Sequence, residues 1–598
     1  MIKSKFKFLI LSVLFFMTTN SQAQNSANIQ FQVSFTQPQA HYADVQMTIT
    51  NIKKDEITVK MPVWAPGSYL VREFSKNIEG FEVANADKSP VAFEKIKKNA
   101  WKINTKGKTS VTVSYRVYAF EISVRTSFID ANHAFLSSTG IFMYPEGSIN
   151  EPSLVTIIPH KNWTKVSTGL EPVAGKAFTY YAKNFDILFD SPIEVGNQDV
   201  FEFNAAGVRH EVAMVGGGNY DKEKLKTDMA KIVEKETAIY GENPNKHYVF
   251  IVHHYLSGGG GLEHLNSTVL GARRMGYTDT KTYKGFLSLV AHEYFHLWNV
   301  KRLRPVALGP FDYDNENYTT NLWIAEGFTA YYDNLIVQRA GFYTPDEFLS
   351  FLEGDINLVY NQPGSKIQPL SDASFDAWIK SYRPNENSSN TTISYYNKGS
   401  LIASLLDLAI IHQSKGLQSL DDAMKFAYLE YYKKKGRGYT DAEMKAVFEK
   451  FAGENLDQFY KDYINGTENI DFQKYLGYAG LKLVDKTRDS KDPYLGITLS
   501  RDGKSVITNV ARGSAAWNDG LNVNDEILAI NGDRVSDVLA YISNQELGAN
   551  LDFLINRDGL IKTIKVTLKA VPNKNWQIEQ LEKPTPAQKA VLEKWLSL

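Results

Sequence analysis

The stretch VAHEYFHLWN, residues 290–299, sets His292 and His296 four positions apart, with Glu293 directly after the first histidine. On an α-helix, positions i and i+4 share a face one turn apart, so both imidazoles can serve one ion. Glu293 is rotated by about 100° from His292 and can reach a water on that ion without ligating it. Burying three polar groups among Val290, Phe295, Leu297 and Trp298 costs free energy unless something partners them. A chance H-E-x-x-H in a chain with eleven histidines is on the order of one in a hundred by composition.

The chain has no cysteine, so disulfides and thiolate metal sites are excluded, and any metal must be held by histidine and carboxylate. A catalytic zinc takes three protein ligands and keeps a fourth position open. The segment NLWIAEGFTAYYDNLI, 321–336, embeds Glu326 in an otherwise apolar and aromatic helical turn, where an unpaired carboxylate would be costly. Asp333, seven residues on, shares roughly that face. It reads as an exposed helix end, with orientation of a ligating histidine as the alternative.

The length of 598 residues suggests about four domains, and the formal net charge of −1 gives no electrostatic reason to expect nucleic acid or an anionic membrane. Residues 1–23 read as a secretory signal: Lys3, Lys5 and Lys7, an apolar run too short to span a bilayer, then Ser21-Gln22-Ala23. This implies a periplasmic or secreted protein with no stable membrane span after cleavage. Residues 28 to about 190 alternate like strands, with WAPGSY (64–69) as a turn among them. From about 220 the pattern turns helical, with a buried strand at KHYVFIVHHYL and a capping box at Thr440–Glu443. RPNENSSNTT, 383–392, reads as a mobile polar loop, and DKTRDSKD, 485–492, as a link.

HEYFH followed by WIAEGFTAYY resembles the gluzincin zinc peptidases, in which a downstream helix supplies a third, glutamate ligand. SGGGGLEHLNS, 257–267, is similar to the Gly-rich strand with which aminopeptidases of that clan hold a free amine. SYYNKGSLIASLL, 394–406, resembles their Tyr-x-Lys-Gly segment. YLGITL (494–499) and NVARGSAAWNDGLNVNDEILAINGDRV (509–535) look like a PDZ domain. Together these features resemble the M61 peptidases, whose activity is that of glycyl aminopeptidases. The Gly-Leu-Glu-His order and the 29 residues between His296 and Glu326 depart from related M1 enzymes.

The resemblance implies a multidomain α+β chain: a signal at 1–23, a β-sandwich-like domain at 24–192 and a thermolysin-like, mainly helical zinc peptidase domain at 193–480. A PDZ domain at 481–572 and a helical tail at 573–598 follow. It also implies one zinc on His292, His296 and Glu326, with Glu293 taking the proton from the water that the zinc activates. Tyr396, or Tyr395 beside it, faces the reacting carbonyl. Glu263 pairs with the substrate amine and so favours peptides with a free N-terminus, Gly260 and Gly261 let the backbone approach the substrate closely, and the family's known activity implies small first residues, glycine or alanine. Leu495, Gly496 and Ile497 would receive a C-terminal peptide at the PDZ groove. Two alternatives stay open: a zinc endopeptidase of the same fold, and a PDZ-bearing binding or quality-control protein with little catalysis.

Overall fold

The computed structural model describes residues 27–487, 491–570 and 572–597. The expected signal at 1–23 lies outside the described residues, as does part of the link at 485–492. Among the described residues no helix is long and apolar enough to cross a membrane. The chain forms two compact units. The described residues up to Val63 join Glu73–Asn197 in the first, and Trp64–Arg72 join the residues from Gln198 onward in the second.

The first unit is β-rich. Ile29–Ser34 alternates inward and outward side chains, the period of a strand with one face in the core. It runs parallel to Ser153–Ile158 and antiparallel to Tyr42–Thr50, in the middle of a seven-stranded sheet. Two four-stranded sheets complete the unit. Phe31 meets Phe142 and Phe185 edge to face, at 4.9 and 6.3 Å between ring centres.

The second unit opens on a five-stranded sheet of β1 (Asp199–Ala205), β2 (Val208–Val215), β3 (His247–Tyr255), β4 (Gly261–Glu263) and β5 (Ser267–Arg273). The order is β1-β2-β3-β5-β4, with β2, β3 and β5 parallel and β4 an antiparallel edge. A β3 strand buried almost throughout explains the apolar run at 248–252. The helices that matter for the site are α1 (Lys222–Tyr240), α2 (Thr280–Phe295), α3 (Leu322–Ala325), α4 (Gly327–Arg339) and α5 (Tyr395–Gln413). Glycines let two of them touch: a methyl on Gly327 would lie 2.5 Å from the Gly399 Cα. That close approach of α4 to α5 explains the glycine in the Tyr-x-Lys-Gly segment.

The PDZ domain closes on Leu495, Ile507, Phe553 and Val566. It is held between two segments that pair with each other, since Leu481–Asp485 runs antiparallel to Trp576–Gln580. The tail expected to be helical from 573 therefore begins with a strand, whose period-two sequence WQIEQ suits pairing, and only Pro586–Leu596 is helix. That helix returns to the peptidase core, where the fully buried Trp595 donates from Nε1 to the Tyr331 hydroxyl at 2.7 Å. The polar stretch at 383–392 is exposed over its first half, but its second half forms a short helix at Ser388–Thr391 with one buried anchor. Asn390 is 2% exposed; its side chain donates to the Val510 carbonyl at 2.9 Å and accepts from the Arg512 N–H at 2.8 Å. A polar run reads as solvated unless a distant backbone edge needs its amides, and here the PDZ domain provides one.

Candidate active site

Helix α2 starts at Asp279, whose carboxylate caps the Thr282 N–H at 2.8 Å. It ends against His296, so the histidine pair lies on its last turn with ring centres 4.9 Å apart. The Nδ1 atom of each ring is already engaged. His292 Nδ1 meets Asp333 Oδ2 at 2.9 Å, and His296 Nδ1 meets the Asn299 carbonyl at 3.0 Å. With those protons fixed on Nδ1, both Nε2 lone pairs point at a common partner.

That partner is Glu326, at the junction of α3 and α4. Its Oε2 lies 3.6 Å from His292 Nε2 and 3.4 Å from His296 Nε2, and the residue is 2% exposed. Burial opposes charging this carboxyl, but the two imidazoles overcome it and hold it well below the usual carboxylate range. Donors about 2.1 Å from a tetrahedral zinc stand roughly 3.4 Å from one another, so the set fits that ion. Asn299 fixes the glutamate's helix, donating from Nδ2 to the Ile324 and Ala325 carbonyls and to Thr329 Oγ1. Asp333 is buried in the interior of α4 rather than exposed at a helix end, and its bond to His292 is the reason.

Glu293 is buried beside the triad, and one oxygen each of Glu263 and Glu293 lies within 4.8 Å of the other and of a His296 nitrogen. Burial pushes the Glu293 carboxyl up to about 7; the Glu263 and Glu326 carboxylates add to this while the histidines oppose it. Gly261 lies directly against Glu293: a methyl at 261 would come 2.1 Å from Oε1. Two residues along β4, Glu263 is 4% exposed, with His264 buried next to it. Tyr396 stacks on His292 at 6.2 Å between ring centres and is partly open, whereas Tyr395 is 1% exposed beneath it. The Leu495–Ile497 turn lies in the PDZ domain. There Gly496 takes φ +82°, and a methyl on it would strike Ser514 Cβ at 2.1 Å.

Two contributors escape sequence reading. Gly67 of the WAPGSY turn lies on the Glu263 carboxylate, and Tyr69 is buried nearby. Burial raises the Tyr69 hydroxyl well above its usual value, and the charges of Glu326 and Glu263 add to the effect. The signal available was the Pro-Gly turn flanked by aromatics, but its partner lies far along the chain. Glu236 on α1 is fully buried, and neither carboxyl oxygen has a hydrogen-bond partner among the described residues. Burial pushes it well above the carboxylate range, and the Asp333 charge adds to this while His292 opposes it.

Comparison with known families places this geometry. The model of the M61 N-terminal domain matches residues 30–197, that of the M61 glycyl aminopeptidases residues 285–402, and a PDZ model residues 493–568. Among solved structures, an aminopeptidase N family protein from Idiomarina loihiensis is 28% identical, with a TM-score of 0.88 over 95% of this chain and 100% of its own. An M1 zinc metallopeptidase from Deinococcus radiodurans is 11% identical, with a TM-score of 0.48 over 74% of this chain and 94% of its own. No curated protein gives a significant match.

Proposed function

We propose, from the premise that this chain belongs to the M61 family of zinc metallopeptidases, that it is an exported aminopeptidase releasing glycine or alanine from a peptide's free N-terminus. The observation that carries this reading is the buried Glu263 carboxylate, placed beside Glu293 and capped by the Gly67 backbone. A cation one residue from the scissile carbonyl answers that charge, and the α-ammonium of a free peptide is such a cation.

A single zinc on His292, His296 and Glu326 would act as a Lewis acid toward the scissile carbonyl and acidify water. Asp333 and Asn299 keep both imidazoles in the tautomer that presents Nε2. Glu293, poised near 7, accepts a proton from the attacking water and delivers it to the leaving amine. Tyr396 donates its hydroxyl to the carbonyl oxygen as negative charge builds there. Gly260 and Gly261 let the substrate backbone approach the strand without obstruction.

The preference for small first residues rests on crowding around Glu263. The Gly67 backbone closes on Leu262 and on the Glu263 carboxylate, and Tyr69 is buried nearby. The same closure speaks against an endopeptidase, which needs space for chain before the cleaved residue. The Leu495–Ile497 turn would take a peptide's terminal carboxylate on its backbone N–H groups. Hydrolysis of free and N-acetylated glycyl substrates tests the reading: only the free amine should be cleaved, and equal cleavage would favour the endopeptidase.

A further inference from the structure

Beyond Gly261, on the side away from Glu263, a cavity of about 340 Å³ runs along α2. It begins at Leu289, one helical turn before Glu293, and at Gly260, next to the glycine that abuts the Glu293 carboxylate. Glu263, which takes the substrate amine, lies at one end of β4, and the cavity opens at the other. It therefore occupies the side that receives the peptide leaving after cleavage. Glycines make up half of its lining, including Gly258 and Gly260 at φ +106° and +91°, so the strand side leaves room for the backbone of an extended chain.

The far end carries Arg273. Its neighbour Arg274 is committed to the structure, donating to the Gly216 and His254 carbonyls. Arg273 is exposed and makes no ion pair among the described residues. Asp279, whose carboxyl is lowered by its bonds to Thr282 and in small part by Lys281 and Arg273, accepts both the Thr282 N–H and hydroxyl on Oδ1. Two cations therefore face one carboxylate, leaving a net positive end. Leu270 pairs with Gly261, and Arg273 is three residues farther along β5. At about 3.3 Å per residue this is roughly 10 Å, the length of two to three extended residues.

From this geometry, and resting on the aminopeptidase reading above, we infer that the groove is a length-measuring subsite in which Arg273 binds the C-terminal carboxylate of a tri- or tetrapeptide. The substrate class is then short peptides with both ends free, one charge read by Glu263 and the other by Arg273. An exposed guanidinium–carboxylate pair is a modest interaction that salt weakens, so the expected preference is about three- to tenfold.

The test compares Gly-Ala-Ala with its C-terminal amide on the zinc-loaded protein and on Arg273→Gln, with glycyl-p-nitroanilide as a substrate that cannot reach the groove. The wild type should favour the free acid about three- to tenfold in kcat/KM, chiefly through KM. Arg273→Gln should treat both alike, and the anilide should be turned over equally by the two proteins. A wild type indifferent to amidation, or a variant that keeps the preference, overturns the inference. Calorimetric binding of the same pair to Glu293→Gln separates the two readings. If nothing is hydrolysed the aminopeptidase reading fails, whereas tighter binding of the acid, lost on adding Arg273→Gln, would still uphold the groove.

Discussion

The backbone of Gly67 lies against the Glu263 carboxylate so closely that a methyl at 67 would come within 2.6 Å of Oε1 and 2.7 Å of Oε2. Gly67 also sits at φ +84°, a left-handed conformation that side chains disfavour. Gly67→Ala should therefore cost about 1 kcal/mol of stability from the backbone alone. It should also displace Glu263 and raise KM for glycyl substrates at least tenfold, with bound zinc unchanged. Thermal melts, metal content and steady-state kinetics on one preparation separate these effects.

Glu263→Gln keeps the shape and removes the charge. Truncating one partner of a buried charge pair costs about 2–5 kcal/mol, so kcat/KM for free-amine substrates should fall at least 30-fold. Hydrolysis of an N-acetylated analogue should not fall with it. A variant that still distinguishes free from acetylated substrates as the wild type does would remove the amine-anchoring role.

Asp333→Asn loses the carboxylate that fixes the His292 tautomer. Replacing such a partner typically costs about 10- to 100-fold in metal affinity. Competition against a chelator of known zinc affinity should show that loss, while the fold, followed by circular dichroism, stays intact. Unchanged affinity would mean that His292 is oriented without Asp333.

Asn390 spans the peptidase helices and the PDZ backbone, and it lies shortly before Tyr396 in sequence. Asn390→Ala removes the side-chain bond to the buried Val510 carbonyl, at about 1–3 kcal/mol, and the part-buried bond from the Arg512 N–H. Hydrogen exchange should quicken around residues 510–516 and leave α2 unchanged. Protection equal to the wild type would show that other contacts seat the PDZ domain.

The convergence of His292, His296 and Glu326 was legible because it follows from short-range features: the i, i+4 spacing of the histidines, and a lone acid in the apolar turn around Glu326. The alternation of Ile29–Ser34, the capping box at Thr440 and the turns of the PDZ domain are likewise local patterns, and the structure contains each. What stayed hidden depends on partners remote in sequence. Gly67 looks like any turn glycine until Glu263 is beside it. Asn390 sits in a tract whose composition matches a solvated loop, and only the Val510 and Arg512 backbone explains its burial. Asp333 shares a helical face with Glu326, but its burial comes from the fold and not from its neighbours in the chain. WQIEQ alternates as a strand should, yet its partner at 481–485 lies across the whole PDZ domain.

The central claim is that His292, His296 and Glu326 hold one zinc ion whose chemistry Glu293 serves. Zinc content per chain, measured on Glu326→Ala and Glu293→Gln beside glycyl-p-nitroanilide turnover, tests it most directly. The account predicts one zinc and at least a 1000-fold loss of kcat for Glu293→Gln, with little or no bound zinc for Glu326→Ala. Full zinc occupancy and undiminished turnover in Glu326→Ala would contradict it.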